Sequence, residues 1–268
     1  IPILYPELFP NQRFKKDIFN KLVNFDLIIT VSENTKKDLL KYNKQINPNI
    51  VKAVHISASE KYKPIEDSKK IEKIKLKYGI PADSNYILTV CTIEPRKNHI
   101  RLTQAWKQVY DKLKLHKPKL VIVGKKGWGE EYQKNLSITS AHLESLIFTG
   151  FVEDDDLPVL YSGSVFSIYP SCYEGFGLPV LESIKCGTFC LTSNTSSMPE
   201  VTGNGVPSVN PYSIDDIAEK ILSLSNDNCL LKELSEKQYE HSKLFSWNQT
   251  YEKTCYEINE SLKNSSIR

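Results

Sequence analysis

Tyr169-Pro-Ser-Cys-Tyr-Glu-Gly-Phe-Gly-Leu-Pro-Val-Leu-Glu182 ends an apolar run, Val165 to Tyr169, and opens a helix. Pro179 suits the first turn of that helix, where a missing N–H costs nothing. Gly175 and Gly177 allow positive φ and let backbone amides come close to a ligand. N–H groups at the head of a helix form an anion site. Two carboxylates, Glu174 and Glu182, bracket the glycines and are placed to grip hydroxyls. The segment reads as a strand–loop–helix around a phosphate-bearing molecule, the outline of a sugar-nucleotide site.

On either side of this stretch, short apolar strands alternate with helices. Strands are predicted over 85–92, 119–124, 146–150, 164–169, 187–192 and 206–209. Helices are predicted over 67–78, 98–115, near 128–137, 155–162, 178–186 and 214–226. This alternation implies a parallel sheet covered on both faces, with ligands at the carboxyl ends of the strands. The loops 93–98, 124–129, 150–153 and 170–178 all fall at that end. Upstream, a helix over 16–24, a strand from Asp26 to Val31, a helix from Glu33 to Tyr42 capped by Ser32, and a β-rich run from Asn49 to Ile56 form a second, smaller α/β fragment. Residues 57–66, polar and containing Pro64, read as a linker. The tail over 228–264 is helical and charged.

Three loops carry chemistry. In Thr92-Ile-Glu-Pro-Arg-Lys-Asn98, Arg96 offers a forked donor and Lys97 a point charge at a strand–helix junction, a pair able to neutralise a diphosphate. The bland alternative is a solvated basic turn; the 169–182 stretch in the same chain favours the site. In Val121-Ile-Val-Gly-Lys-Lys-Gly-Trp-Gly129, Gly124 closes a strand and leaves room for a ligand. The order is not that of a Walker A loop, and no Gly-x-Gly-x-x-Gly follows a strand, which disfavours an ATPase or a nicotinamide enzyme. After Gly150, backbone groups of Phe151 and Val152 are expected to face the crevice and read a base edge. The acids Glu153 to Asp156 suit the head of the next helix.

Bulk properties narrow the classes. The 268 residues allow one large or two modest domains, and 40% apolar content supports a real core. A net charge of +3 is too small to imply nucleic acid. The six cysteines form no C-x-x-C pair, so zinc or iron–sulfur ligation has little support. The thiols read as reduced, hence cytoplasmic. No apolar run approaches the ~20 residues of a membrane span. The chain opens on Ile1-Pro-Ile-Leu-Tyr-Pro6 rather than Met, and an N-terminally incomplete chain is expected.

Taken in order, Asp26-Leu-Ile-Ile-Thr-Val-Ser-Glu33, Glu94-Pro-Arg-Lys-Asn98, Val123-Gly124, Thr149-Gly-Phe-Val152, the Glu174/Glu182 pair with its Gly-Phe-Gly-Leu-Pro, and Phe245-Ser-Trp247 resemble a retaining glycosyltransferase of the large family 4. The Glu-Pro-Arg-Lys-Asn form is similar to mannosyl- and rhamnosyl-type enzymes of polysaccharide assembly. The resemblance implies a GT-B fold: residues 1–60 as the end of an acceptor-side Rossmann-like domain, 61–235 as the nucleotide-sugar donor domain, and 236–268 as helices packing back. It implies metal-independent hexosyl transfer, mannose-like, from a GDP-, UDP- or dTDP-sugar to a glycan or lipid-linked acceptor, with no cofactor. Glu174, Arg96 and Lys97 would be catalytic. Glu182, Gly175, Phe176, Gly177, Leu178, Gly124, Phe151 and Val152 would bind the donor. Peripheral attachment at the inner face of the membrane stays open, because acceptors of this family are often lipid-linked.

Departures are visible too. Cys91-Thr92 stand where many members carry Gly-Arg, which puts more of the diphosphate charge on Arg96 and Lys97. Ser57-Ala-Ser59 replace the usual hinge glycine. A second expectation is a nucleotide-sugar-binding module, inactive alone because its first domain is incomplete; a phosphorylase ranks below both. Among single residues, Trp247 is expected to pack in the core, His99 to be a surface or cap residue, and Cys172 to be a small packing residue.

Overall fold

A computed structural model of the chain describes residues 17–114, 118–140 and 144–265. The opening Ile1–Pro6 segment lies outside these residues. In chain order the elements are α1 (Asp17–Asn20), β1 (Ile28–Thr30), α2 (Glu33–Tyr42), β2 (Val51–Ala53), α3 (Ser68–Lys77), β3 (Tyr86–Val90), α4 (His99–Val109), β4 (Lys119–Val123), α5 (Glu130–Ser140), β5 (Leu146–Gly150), α6 (Leu157–Ser162), β6 (Phe166–Tyr169), α7 (Leu178–Lys185), β7 (Cys190–Ser193), α8 (Met198–Thr202), β8 (Ser208–Val209), α9 (Ile214–Ser225), α10 (Asn228–Ser242) and α11 (Trp247–Ser265).

The larger sheet is parallel, in the order β5-β4-β3-β6-β7-β8. The chain works outward from β3 to β5, returns to lay β6 beside β3, and continues to the other edge. The order therefore reverses between β3 and β6, and loops leaving these two strands open a crevice there. Side chains alternate across the sheet. Tyr86, Leu88, Val121 and Val123 join one apolar core with Ile74, Val159, Val180 and Leu181. Ile87, Leu120 and Ile122 join the other with Leu102, Trp106, Ile217 and Ile221. Both faces being covered, these strands are largely apolar, and polar residues within them such as Thr89 and Ser167 are buried.

Gly124 ends β4 at φ +147°, and an added Cβ would lie 1.9 Å from the Cys91 carbonyl oxygen. The space this glycine provides is taken by the neighbouring β3 loop. Gly124→Ala is expected to cost on the order of 2–4 kcal/mol, because backbone rather than a flexible side chain would have to move. Equilibrium denaturation checks this; a loss below half a kcal/mol would contradict it.

The smaller sheet pairs β1 with β2 in parallel, Ile28 opposite Val51. Ser32 caps α2 as expected, its Oγ accepting from the Thr35 N–H. The segment after β2 differs from the polar linker expected there: Ser57, Ala58 and Tyr62 are buried. Ser57 Oγ donates to the Phe245 carbonyl at 3.0 Å, and Lys185 Nζ donates to that carbonyl at 2.9 Å and to Ser57 Oγ at 3.1 Å. Both chain crossings between the sheets are thereby tied to α7. α10 runs straight across position 235. Trp247 is 51% exposed at the head of α11, so it is not the core residue its size suggested. Among the described residues, no helix is long and apolar enough to cross a membrane.

Candidate functional site

The β3 loop and the β6 loop meet at the reversal point. Pro95–Lys97 form a single 3-10 turn, and Asn98 follows in the left-handed region at φ 65°. The Asn98 amide donates to the carbonyls of Pro170 (3.0 Å) and Pro211 (2.6 Å), and the Cys172 N–H donates to the Arg96 carbonyl (2.9 Å). These bonds stitch the basic turn to the loops after β6 and β8.

The predicted charged residues come together here. Lys97 Nζ donates to Glu174 Oε1 at 2.7 Å and also to the Tyr169 hydroxyl, whose ring centroid lies 4.8 Å away. Arg96 Nη1 donates to Glu174 Oε2 and, at 3.1 Å, to the Tyr173 carbonyl; its Nη2 donates to Glu94 Oε1 at 2.6 Å. Two cations and two carboxylates thus form a nearly buried, balanced cluster. Burial alone would raise the Glu174 carboxyl, but Lys97 and Arg96 outweigh it and hold it below its ordinary value. Glu94 goes the other way: burial raises it, and Arg96 and Lys97 only partly offset that.

The Glu174 loop is held from two sides. From its own sheet, the Glu174 N–H donates to Ser196 Oγ (3.0 Å), and Ser197 Oγ donates to the carbonyls of Glu174 (3.2 Å) and Phe176 (2.8 Å). From the smaller sheet, Ser32 and Thr35 hydroxyls donate to the Gly175 carbonyl at 2.6 and 3.1 Å. α7 then starts after Gly177, which sits at φ +112° with Met198 Cε 2.5 Å from where a Cβ would be. Pro179 occupies the first turn of α7 as predicted, where its missing N–H costs nothing, and the Val180 and Leu181 N–H groups donate to the Gly177 carbonyl at 3.0 and 3.2 Å. Gly175 does not have positive φ. An added methyl there would make only 4.0 Å contacts with Thr35 and Val31, so this glycine keeps one face of the loop open rather than permitting a special backbone.

Other predicted residues stand apart from the charged cluster. Glu182, on α7, lies near Tyr161, whose hydroxyl donates to it at 3.4 Å, and burial pushes its carboxyl up to about 7. The Phe176 ring is buried between the two sheets, 5.8 Å from Phe245 and 5.9 Å from His55, so only its backbone could meet a ligand. Leu178 packs against the core. Gly124, Gly150 and Phe151 line a cleft of about 510 Å³ with Lys125, Gln133 and Phe148; the Phe151 ring is exposed, with Lys125 Nζ 4.4 Å from its centroid. The Val152 side chain turns into the core instead.

His99 is fully buried, not a surface or cap residue. Its Nε2 lies 3.4 Å from Cys91 Sγ, and burial together with Lys97 drives its pKa down to about 3, so it is neutral and carries no charge to a phosphate. Cys172 is the buried packing residue expected, its thiol pushed up by burial.

Several residues around the site escaped the sequence reading. Tyr169 and Tyr173 sit inside the quoted stretch, Tyr169 as the end of its apolar run and Tyr173 with no role assigned to it. Ser196, Ser197 and Glu200 belong to α8 and its approach, which was not predicted. A signal was present in Ser197-Met-Pro-Glu200, a small polar residue followed by proline and an acid, the pattern of a helix start. Among the described residues, no group of three or more His, Cys, Asp or Glu is placed to hold a metal ion.

Solved structures with the same α/β, parallel-sheet GT-B architecture include a glycosyltransferase from Rickettsia africae ESF-5 (TM-score 0.81, 20% identity, covering 94% of this chain and 69% of that one). Another is Anabaena Alr3699/HepE, crystallised with UDP and glucose (TM-score 0.79, 18% identity, 92% and 68%). In sequence, the chain is 32% identical over 260 residues to the serotype-specific mannosyltransferase WbdA of Escherichia coli, covering 93% of this chain and 31% of WbdA. It is 31% identical over 245 residues to O-antigen chain mannosyltransferase B of Escherichia coli, covering 90% of this chain and 63% of that protein. The chain therefore spans about a third of the first relative and under two thirds of the second. The family described as Glycosyl transferases group 1 matches residues 70–241, a span that takes in the β3 loop, the Glu174 loop and α7, and the chain belongs to that family.

Proposed function

We propose that this chain forms the donor half of a retaining, metal-independent glycosyltransferase. It would pass a mannose-like hexosyl group from a nucleoside-diphosphate sugar to a glycan or lipid-linked acceptor in polysaccharide assembly. The observation that carries the reading is the convergence of Arg96, Lys97 and the Glu174 loop at the sheet's reversal point. The mannosyltransferase relatives support the sugar, and the UDP-bound neighbour supports a nucleotide donor.

The chemistry follows from the charges. As the bond from sugar C1 to the diphosphate breaks, the electron pair moves onto the diphosphate. Arg96 and Lys97 are donors placed where that charge develops, which lowers the barrier. In the cluster described above, Glu174 already occupies both cations, so an incoming diphosphate competes with it for them. Glu174 is then released toward the transferred sugar. Glu182 would take the ribose hydroxyls, and the cleft beside Phe151 would take the base.

Calorimetric titration with GDP-mannose, UDP-glucose and dTDP-rhamnose tests the reading. One of these should bind, and Arg96→Ala should weaken it about 10- to 100-fold, the worth of a charge-assisted hydrogen bond. Binding of none of the three, or undiminished binding to the variant, would count against it. A second reading, donor binding without turnover by this chain alone, is favoured by the two-stranded smaller sheet among the described residues. Donor binding without transfer or donor hydrolysis would select it.

A further inference from the structure

We infer that Tyr173 and Asp38 are positioning residues that make the placement of Glu174 depend on the seating of α2. The inference rests on the proposed transferase reading and adds a role that the donor site does not require.

Tyr173 immediately precedes Glu174, and it is buried. Its carbonyl accepts from Arg96, while its side chain reaches the other way, across to the smaller sheet. There its hydroxyl donates to Asp38 Oδ2 and accepts from Asn34 Nδ2 at 3.0 Å; that same Asn34 amide also donates to Asp38 Oδ2 at 3.0 Å. One residue beyond Glu174, the Gly175 carbonyl is held by Ser32 and Thr35. So both neighbours of Glu174 are bonded to α2 or its cap.

Hydrogen bonds tie this side of the loop to α2 and its cap. Tyr173 and Gly175 border an apolar cavity of about 380 Å³, together with Leu22, Ile29, Leu39 and Tyr42. α2 is in turn clamped from beyond the loop: Glu200 of α8 accepts from the N–H groups of Glu33 (2.8 Å) and Asn34 (2.7 Å), and His55 Nε2 lies 3.1 Å from the same carboxylate. A carboxylate at a helix head is well placed against the dipole. The Glu174 loop is thus enclosed between α2 and the 196–200 segment, which also holds the loop backbone. A rigid-body shift of α2 would reach Glu174 from both sides, through Tyr173 and through the Gly175 carbonyl, and would reach Arg96 through the Tyr173 carbonyl.

The test uses the full protein with Tyr173→Phe, Asp38→Ala and the double variant. Each single change should lower kcat about 10- to 100-fold while the donor dissociation constant stays within about threefold, and the double variant should be no slower than the worse single one. Asp38→Asn, which keeps an acceptor for the hydroxyl, should recover part of the rate. Hydrogen exchange of the 171–177 amides should rise in Tyr173→Phe whether or not a donor is present. That readout separates the two proposals, since it stands even if no nucleotide sugar binds. Unchanged exchange in 171–177, an unchanged kcat in both single variants, or donor affinity falling in step with kcat would overturn the inference.

Discussion

Lys97→Ala is expected to lower the rate of sugar transfer by about 10²- to 10³-fold, the usual effect of removing one preorganised donor from developing negative charge. Lys97 is 9% exposed, and its ammonium touches both Glu174 and Tyr169. On the proposed reading, Arg96 alone must then hold Glu174 and receive the diphosphate. The Glu174 carboxyl would rise, since burial would be opposed by one cation instead of two. Lys97→Arg should not restore the rate, because a planar guanidinium needs room that the Tyr169 ring, 4.8 Å from Nζ, does not leave. Arg96 still pairs with Glu174 in the alanine variant, so the carboxylate is not stranded and the protein should fold. Initial rates at saturating donor, with thermal denaturation as a folding control, decide the matter. A rate within threefold of wild type would remove Lys97 from the mechanism.

The second large effect is a pH dependence set by Glu182. Burial is the main reason its carboxyl titrates near 7 in the folded chain rather than at its ordinary 4.5. The folded state therefore holds this proton more tightly than the unfolded state. The associated stability is fully present below about pH 4.5 and is lost as pH rises through 7, a loss on the order of 3 kcal/mol by pH 8. Glu182→Gln carries no such proton. The variant should be the more stable protein at pH 8, by on the order of 2–3 kcal/mol, with the gap closing toward pH 5. It should bind donor more weakly, because an amide offers one acceptor oxygen and an NH2 donor where a carboxylate offers two acceptor oxygens. In the wild type, donor affinity should climb between pH 6 and 8 as Glu182 ionises. Equal pH dependence of unfolding in the two proteins, followed by denaturant titration at pH 5.5 and 8, would refute this account. On this account Glu182 is a carboxylate kept buried for function at a cost in stability.

Much of this protein was written locally. The alternation of short apolar runs and helical spacings from 85 to 225 foretold the parallel sheet, because strand and helix periods are properties of a few consecutive residues. Ser32 as a cap and Pro179 in a first turn were legible for the same reason: each acts on backbone within four positions of itself. The basic turn at 96–97 and the Glu174 loop could be nominated as partners, since a parallel sheet brings strand ends to one edge. What local pattern could not supply was the order of strands. That order places β6 against β3, and so joins Lys97 to a carboxylate 77 residues away. It also decided which glycine answers to what: Gly124 yields to the Cys91 carbonyl of the adjacent loop, and Gly175 needs no special backbone at all. His99 and Trp247 show the same limit from opposite directions. A polar ring became fully buried and a large apolar one half exposed, because burial is settled by what the rest of the chain lays over a residue. The sequence alone determined which segments become strands, helices and charged turns. The tertiary structure decided which of them touch, through contacts such as Tyr173 with Asp38 that link residues 135 positions apart and leave no trace in either one's neighbourhood.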